Sequence, residues 1–173
     1  LCISPERTEA RYDKIHLFDV QVNDTVGGYQ ESKYFEPGTD LFVAKTPFGH
    51  IGLMVCYDLR FPELALSLRQ RGANILTAPA AFTYTTGEMH WQLLLQARAM
   101  DTQCQVLGSA QQGWHGQKRQ TWGHTAATHS RGHVLDLITH EGAGLITIPF
   151  DLAEQAQIRQ SMPLMQHRVL VNY

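Results

Sequence analysis

The sequence has no apolar run of membrane-spanning length, no C-x-x-C pair and no excess of basic residues. Each absence removes a class of protein. A spanning helix takes about 20 apolar residues, so none is expected. Fourteen Lys and Arg against sixteen Asp and Glu leave a formal net charge of −2. That balance gives no electrostatic case for nucleic acid or an anionic membrane as partner. Three cysteines among 173 residues, Cys2, Cys56 and Cys104, argue against a disulfide framework and favour a reducing, cytoplasmic setting. The opening LCISPERTEAR lacks a basic start followed by a long apolar stretch, so no secretory leader is expected there. It also lacks an initiating Met, which places the expected start of the coding frame upstream. Nine histidines raise the question of a metal. His129 and His133 lie four apart, but HSRGH carries a turn signal and is not a helical H-E-x-x-H. No metal and no cofactor is expected.

What is present is a globular composition, 43% hydrophobic and 17% charged, of a length that suits one domain with a sizeable core. KIHLFDVQV alternates apolar and polar residues and reads as extended, with Gly27-Gly28 turning the chain after it. A tight turn at Pro47-Phe48-Gly49 leads into a buried strand over 51–55. FPELALSLRQRG reads as a helix, with Pro62 and Glu63 suited to its first turn and Gly72 to its end. NILTAPA is a second strand, EMHWQLLLQARAMDTQC a helix buried along Trp91, Leu94, Leu95 and Ala99, and QVLGSA a third strand. QQGWHGQKRQTWGH reads as a polar loop. TAATHSRGHVLDLI predicts two strands around a turn at residues 130–132, and GLITIPF a further strand. Asp151 and Glu154 form a capping box for the last helix. Strand–helix–strand units followed by hairpins predict an α/β fold, a mixed sheet with helices outside.

IGLMVCYDLRFPE places Cys56 where a strand turns into a helix. A free cysteine there is often plain core. The same turn also projects a nucleophile out of a sheet, with following N–H groups free to receive an oxyanion. RYDKIHLFDV, YQESKYFEPG and MVCYDLRFPE occur in that order, with 17 residues from Lys14 to Glu31 and 25 from Glu31 to Cys56. This arrangement resembles the nitrilase superfamily, the carbon–nitrogen hydrolases. The resemblance runs from about Ala10 to the C-terminal region. It implies a nitrilase-like α-β-β-α sandwich over residues 1–173, N-terminally incomplete and lacking the family's first strands and helices and its earlier Glu, the general base.

The resemblance also implies roles. Cys56 is the nucleophile, Lys14 the cation beside the oxyanion, and Glu31 the residue that orients Lys14 or the substrate. Tyr57 offers a second oxyanion donor through its N–H, and Phe82 and Thr86 are candidate linings of the acyl pocket. Thr83 and Trp91 read as structural, and Arg60 and Glu63 as an ion pair that fixes the turn. The segments PAAFTYTTGEMHWQLLLQARAMDTQCQVL and AQQGWHGQKRQTWGH resemble the branch acting on deaminated glutathione. The implied reaction releases 2-oxoglutarate and Cys-Gly through a cysteine thioester, with Lys118 and Arg119 near Trp114 and Trp122 facing an anionic small-molecule amide. The alternatives are an inactive remnant, an omega-amidase acting on another 2-oxo acid amide, or a Cys-His hydrolase with His90 or His124 beside Cys56. The family also implies a homo-oligomer.

Overall fold

The structure, a computed structural model, describes residues 2–3 and 8–170, with side chains from Ala10 to Leu170. Its centre is a six-stranded mixed sheet. Strands β5 (Val43–Thr46) and β6 (Gly49–Leu53) form a hairpin over the turn expected at Pro47-Phe48. From β6 the chain enters α1 (Pro62–Gln70), β7 (Ile75–Thr77), α2 (Tyr84–Thr102) and β8 (Gln105–Gly108). Strands β6, β7 and β8 run parallel, as crossover helices require. Two shorter hairpins precede the sheet: β1 (Cys2–Ile3) with β2 (Thr8–Ala10), and β3 (Asp19–Gln21) with β4 (Gly28–Gln30). After β8 come β9 (Gln112–His115) with β10 (Arg119–Trp122), then β11 (Ala126–Thr128) with β12 (Val134–Leu137). Strand β11 pairs antiparallel with β8, giving the order β12-β11-β8-β7-β6-β5. The α/β class and the mixed sheet agree with expectation.

The local reasons match the residues. Pro62 occupies the first turn of α1, where a missing N–H costs nothing, and Gly72 beyond its end has φ +95°. Thr83 caps α2, its Oγ1 accepting from Thr86 N at 3.3 Å, so the helix starts earlier than the sequence pattern suggests. Trp91, Leu95 and Ala99 form its buried stripe. The Trp91 and Leu95 side chains lie within 3 Å of where a Cβ on Gly108 would sit, so glycine there lets α2 lie directly on β8. Residue rows alternate across the sheet: Gly52, Leu76 and Val106 are buried toward the helices, while Leu53, Thr77 and Leu107 are half-buried on the other face. Asp151 caps α3 (Leu152–Ser161) by accepting from Ala153 N at 2.7 Å and Glu154 N at 3.2 Å. A short α4 (Leu164–His167) follows.

Two expectations fail. The stretch read as a polar loop is the β9–β10 hairpin, closed over residues 116–118 with Gly116 at φ +68°. A turn of three residues containing glycine is a hairpin signal, and the polar side chains on both strands hid it. GLITIPF, read as a strand, has no regular structure. Strand pattern alone does not make a strand: among the described residues no neighbouring strand offers this stretch a ladder, and Leu145 is 90% exposed. No helix among the described residues is long and apolar enough to cross a membrane.

Candidate active site

The site lies beyond the carboxyl ends of β6, β7 and β8, where open α/β sheets place their ligands. Backbone bonds continue past these strands and hold their extensions together. Cys56 N donates to Pro79 O at 3.0 Å, Ala80 N to Ser109 O at 2.8 Å, and Gln111 N to Ala80 O at 2.9 Å. Between the extensions is a cavity of about 630 Å³ lined by Cys56, Tyr57, Lys14, Glu31, Phe82, Thr86, Arg60 and Arg119 among others. That volume suits a small molecule. Every residue singled out from the sequence as catalytic or substrate-binding, namely Cys56, Lys14, Glu31, Tyr57, Phe82 and Thr86, therefore borders one space.

Cys56 has φ +52°, a left-handed conformation that is uncommon for a side-chain-bearing residue and is held only where the surroundings enforce it. Asp58 is the enforcer. Its side chain is fully buried and accepts from Val55 N at 2.8 Å, Tyr12 Oη at 2.7 Å and His16 N at 3.1 Å, and its Oδ1 lies 2.8 Å from His16 Nδ1. One carboxylate thus ties the turn after β6 to the segment carrying Lys14. Burial, then the bond to Asp58, pushes the Tyr12 phenol well above its ordinary range. The sequence gives no hint of Asp58, since a single acid in CYDLRFP reads as surface. The expected Arg60–Glu63 ion pair does not form. Both Arg60 Nη atoms lie 3.3 Å from His90 Nδ1, and the guanidinium sits 5.3 Å from the Phe82 ring centre. Glu63 is exposed and its charge acts on Arg98 of α2, whereas the contact with Phe82 keeps the Arg60 cation at the cavity.

Lys14 Nζ donates to Glu31 Oε2, which also accepts Phe18 N at 2.8 Å. The Lys14 side chain is 14% exposed and lies 6.0 Å from the Tyr57 ring. Around Cys56 the influences oppose one another. Burial pushes the thiol above its ordinary pKa; the Ala81 N–H, then Lys14, pull it down; Glu31 pushes up and Arg119 pulls down. Of the two loop cations named from the sequence, Arg119 borders the cavity and Lys118 does not. No imidazole is among the described cavity residues: His90 sits on Arg60 and His124 stacks 4.0 Å from Trp122. A Cys-His arrangement is therefore not what the fold builds. Among the described residues no group of three or more His, Cys, Asp or Glu is placed to hold a metal ion.

Comparison with known proteins gives this geometry its class. The carbon–nitrogen hydrolase family matches residues 1–160, and the chain belongs to that family. The match starts at residue 1, ahead of the Ala10 expected from the motifs. The deaminated glutathione amidase of Yersinia enterocolitica is 46% identical over 164 residues, covering 95% of this chain and 57% of its own length. The human deaminated glutathione amidase is 46% identical over 160 residues, covering 92% and 48%. Among solved structures, the Caenorhabditis elegans NitFhit protein aligns with a TM-score of 0.82 at 39% identity, covering 94% of this chain and 39% of that one. Saccharomyces cerevisiae Nit3, a member of branch 10 of the nitrilase superfamily, aligns with a TM-score of 0.81 at 30% identity, covering 95% and 56%. The chain spans about half the length of the curated relatives it matches.

Proposed function

We propose that this site belongs to an amidase that cleaves the amide of deaminated glutathione through a thioester on Cys56. The observation that carries the reading is Cys56 on its strained turn, facing a cavity that also holds the Lys14–Glu31 pair. The Cys56 sulfur attacks the amide carbonyl. The developing oxyanion is met by Lys14 Nζ and the Tyr57 N–H, and charge met by fixed donors is the largest single aid to such a step. Collapse breaks the C–N bond and releases Cys-Gly; water then cleaves the thioester to 2-oxoglutarate. Glu31 holds Lys14 in place.

The substrate class follows from charge. Among the described residues neither Arg60 nor Arg119 makes an ion pair, and both border the cavity. Two guanidiniums without carboxylate partners suit a ligand carrying two carboxylates, as deaminated glutathione does. The names of the relatives at 46% identity agree with this assignment. Phe82 and Thr86 line the acyl portion. Proton transfer from thiol to leaving amine calls for a second carboxylate, since Glu31, the one carboxylate among the described cavity residues, is already held by Lys14 and Phe18. General acid–base help of this kind is worth about 10²–10⁴-fold. We assign a homo-oligomeric state and a cytoplasmic setting to the protein on the family resemblance and the cysteine content.

The test is release of 2-oxoglutarate from deaminated glutathione by the purified chain, with Cys56→Ala beside it. Turnover abolished by the substitution is expected. Equal turnover by both proteins would sink the mechanism. If the folded chain turns over slowly, fusion to the part of the Yersinia relative outside the matched region is expected to raise the rate.

A further inference from the structure

Arg60 ends the turn that begins at Cys56, and its guanidinium is held by rings and not by acids. It lies 5.3 Å from the Phe82 ring centre and 6.0 Å from that of Tyr57. Among the described residues no carboxylate pairs with it. Its hydrogen-bond partner is His90 on α2: both Arg60 Nη atoms lie 3.3 Å from His90 Nδ1. Arginine has donors only, so Nδ1 accepts from both. That places the imidazole proton on Nε2 and leaves the ring neutral. His90 stands four residues after Thr86, on the same face of α2. Thr86 and Arg60 border the cavity, and His90 sits behind Arg60.

We propose that His90 is a positioning residue that aims the Arg60 guanidinium at a carboxylate of the substrate. The identity of the acceptor matters. A carboxylate in this place would hold Arg60 as firmly but would cancel its charge. A neutral imidazole fixes the same group and leaves the charge for an anion in the cavity. The fork geometry points the same way. Its end-on edge, Nη1 with Nη2, is turned to His90. The side-on edge, Nε with one Nη, is then left for a bidentate carboxylate. The ring contacts confine the guanidinium but tolerate many rotations of it, whereas bonds to Nδ1 select one. The inference rests on the reading of this cavity as a dicarboxylate site, and its readout is binding and not turnover.

The experiment is isothermal titration of 2-oxoglutarate, the acid released in the proposed reaction, into wild type, His90→Leu, His90→Asn and His90→Gln. His90→Leu is expected to weaken binding about tenfold, the worth of one hydrogen bond to a charged group. Asparagine Oδ1 takes the place of Nδ1, so His90→Asn is expected to restore most of the affinity. The glutamine amide reaches one carbon further, so His90→Gln is expected to bind as weakly as His90→Leu. If His90→Leu does not fold, the contrast between His90→Asn and His90→Gln carries the test. Wild-type affinity in folded His90→Leu overturns the proposal, as does an equal loss in all folded variants, which would make the side chain merely structural. No binding to the wild type overturns it together with the dicarboxylate reading. The expected pattern in a chain that shows no amidase turnover upholds the positioning role and counts against the proposed function alone.

Discussion

At the scale of single residues, the site depends on opposed charges around one thiol, and the signs are testable. Lys14 favours the Cys56 thiolate and Glu31 disfavours it. Lys14→Met is expected to raise the pH midpoint of Cys56 alkylation, and Glu31→Gln to lower it. Turnover is expected to fall in both, because Glu31→Gln frees Lys14 from its anchor while making the thiol easier to ionise. A Glu31→Gln enzyme with full turnover would remove its assigned role. Asp58 supports the same turn by a different means. Asp58→Ala leaves the Tyr12 hydroxyl and the Val55 and His16 amides without their acceptor. The Tyr12 hydroxyl is buried and the two amides are part-buried; a buried orphan costs about 1–3 kcal/mol, so urea unfolding is expected to show a loss of at least about 2 kcal/mol. Tyr12→Phe, which removes one donor and leaves the carboxylate its other bonds, is expected to cost about 1 kcal/mol. Cys56, Lys14 and Glu31 were legible because the order and spacing of three motifs are a joint signal. Asp58 was not, because its importance lies in partners 42 and 46 residues away that no local pattern links to it.

At the scale of elements, the hairpin that carries Arg119 is located by its contact with α2. A Cβ on Gly87 would lie 2.2 Å from Trp122 Cβ and 2.5 Å from its Cγ. Alanine in place of glycine within a helix ordinarily stabilises by about 1 kcal/mol. Here a backbone-proximal carbon of a partly buried tryptophan blocks it, and overpacking costs about 1–3 kcal/mol. Gly87→Ala is therefore expected to destabilise the chain in urea unfolding, against its helix propensity. A gain in stability would show that β10 yields freely and does not depend on α2. The run from β6 through α1, β7 and α2 to β8 was legible from periodicity, Pro62, Gly72 and the apolar strand stretches, because each element there buries one clear face. The β9–β10 hairpin was not, since it is stabilised by pairing and by edges of neighbouring loops, and its residues carry no apolar alternation. For 144–150 the pattern was present and, among the described residues, a partner strand was not, so strand propensity had nothing to act on.

At the scale of the molecule, the chain of 173 residues leaves apolar surface on two sides. The sheet face away from the helices holds Leu53 and Leu107 half-buried. On the outer side of α2, Met89, Leu93 and Met100 are 56%, 64% and 57% exposed, at positions that share one stripe of a helix. A formal net charge of −2 provides little repulsion to keep copies apart. Exposed apolar side chains grouped on one stripe favour association, which makes the proposed homo-oligomer testable. The purified chain is expected to show concentration-dependent association in sedimentation velocity and to bind a hydrophobic dye while folded. Leu93→Glu separates the two faces. Its side chain lies largely in solvent, so the melting temperature is expected to stay within the small range of surface substitutions, about ±0.5 kcal/mol in stability. If α2 makes the contact, the same change lowers the average mass. If mass is unchanged while dye binding persists, the sheet face is the associating surface, and a single monomeric species with no dye binding would show that neither face drives association.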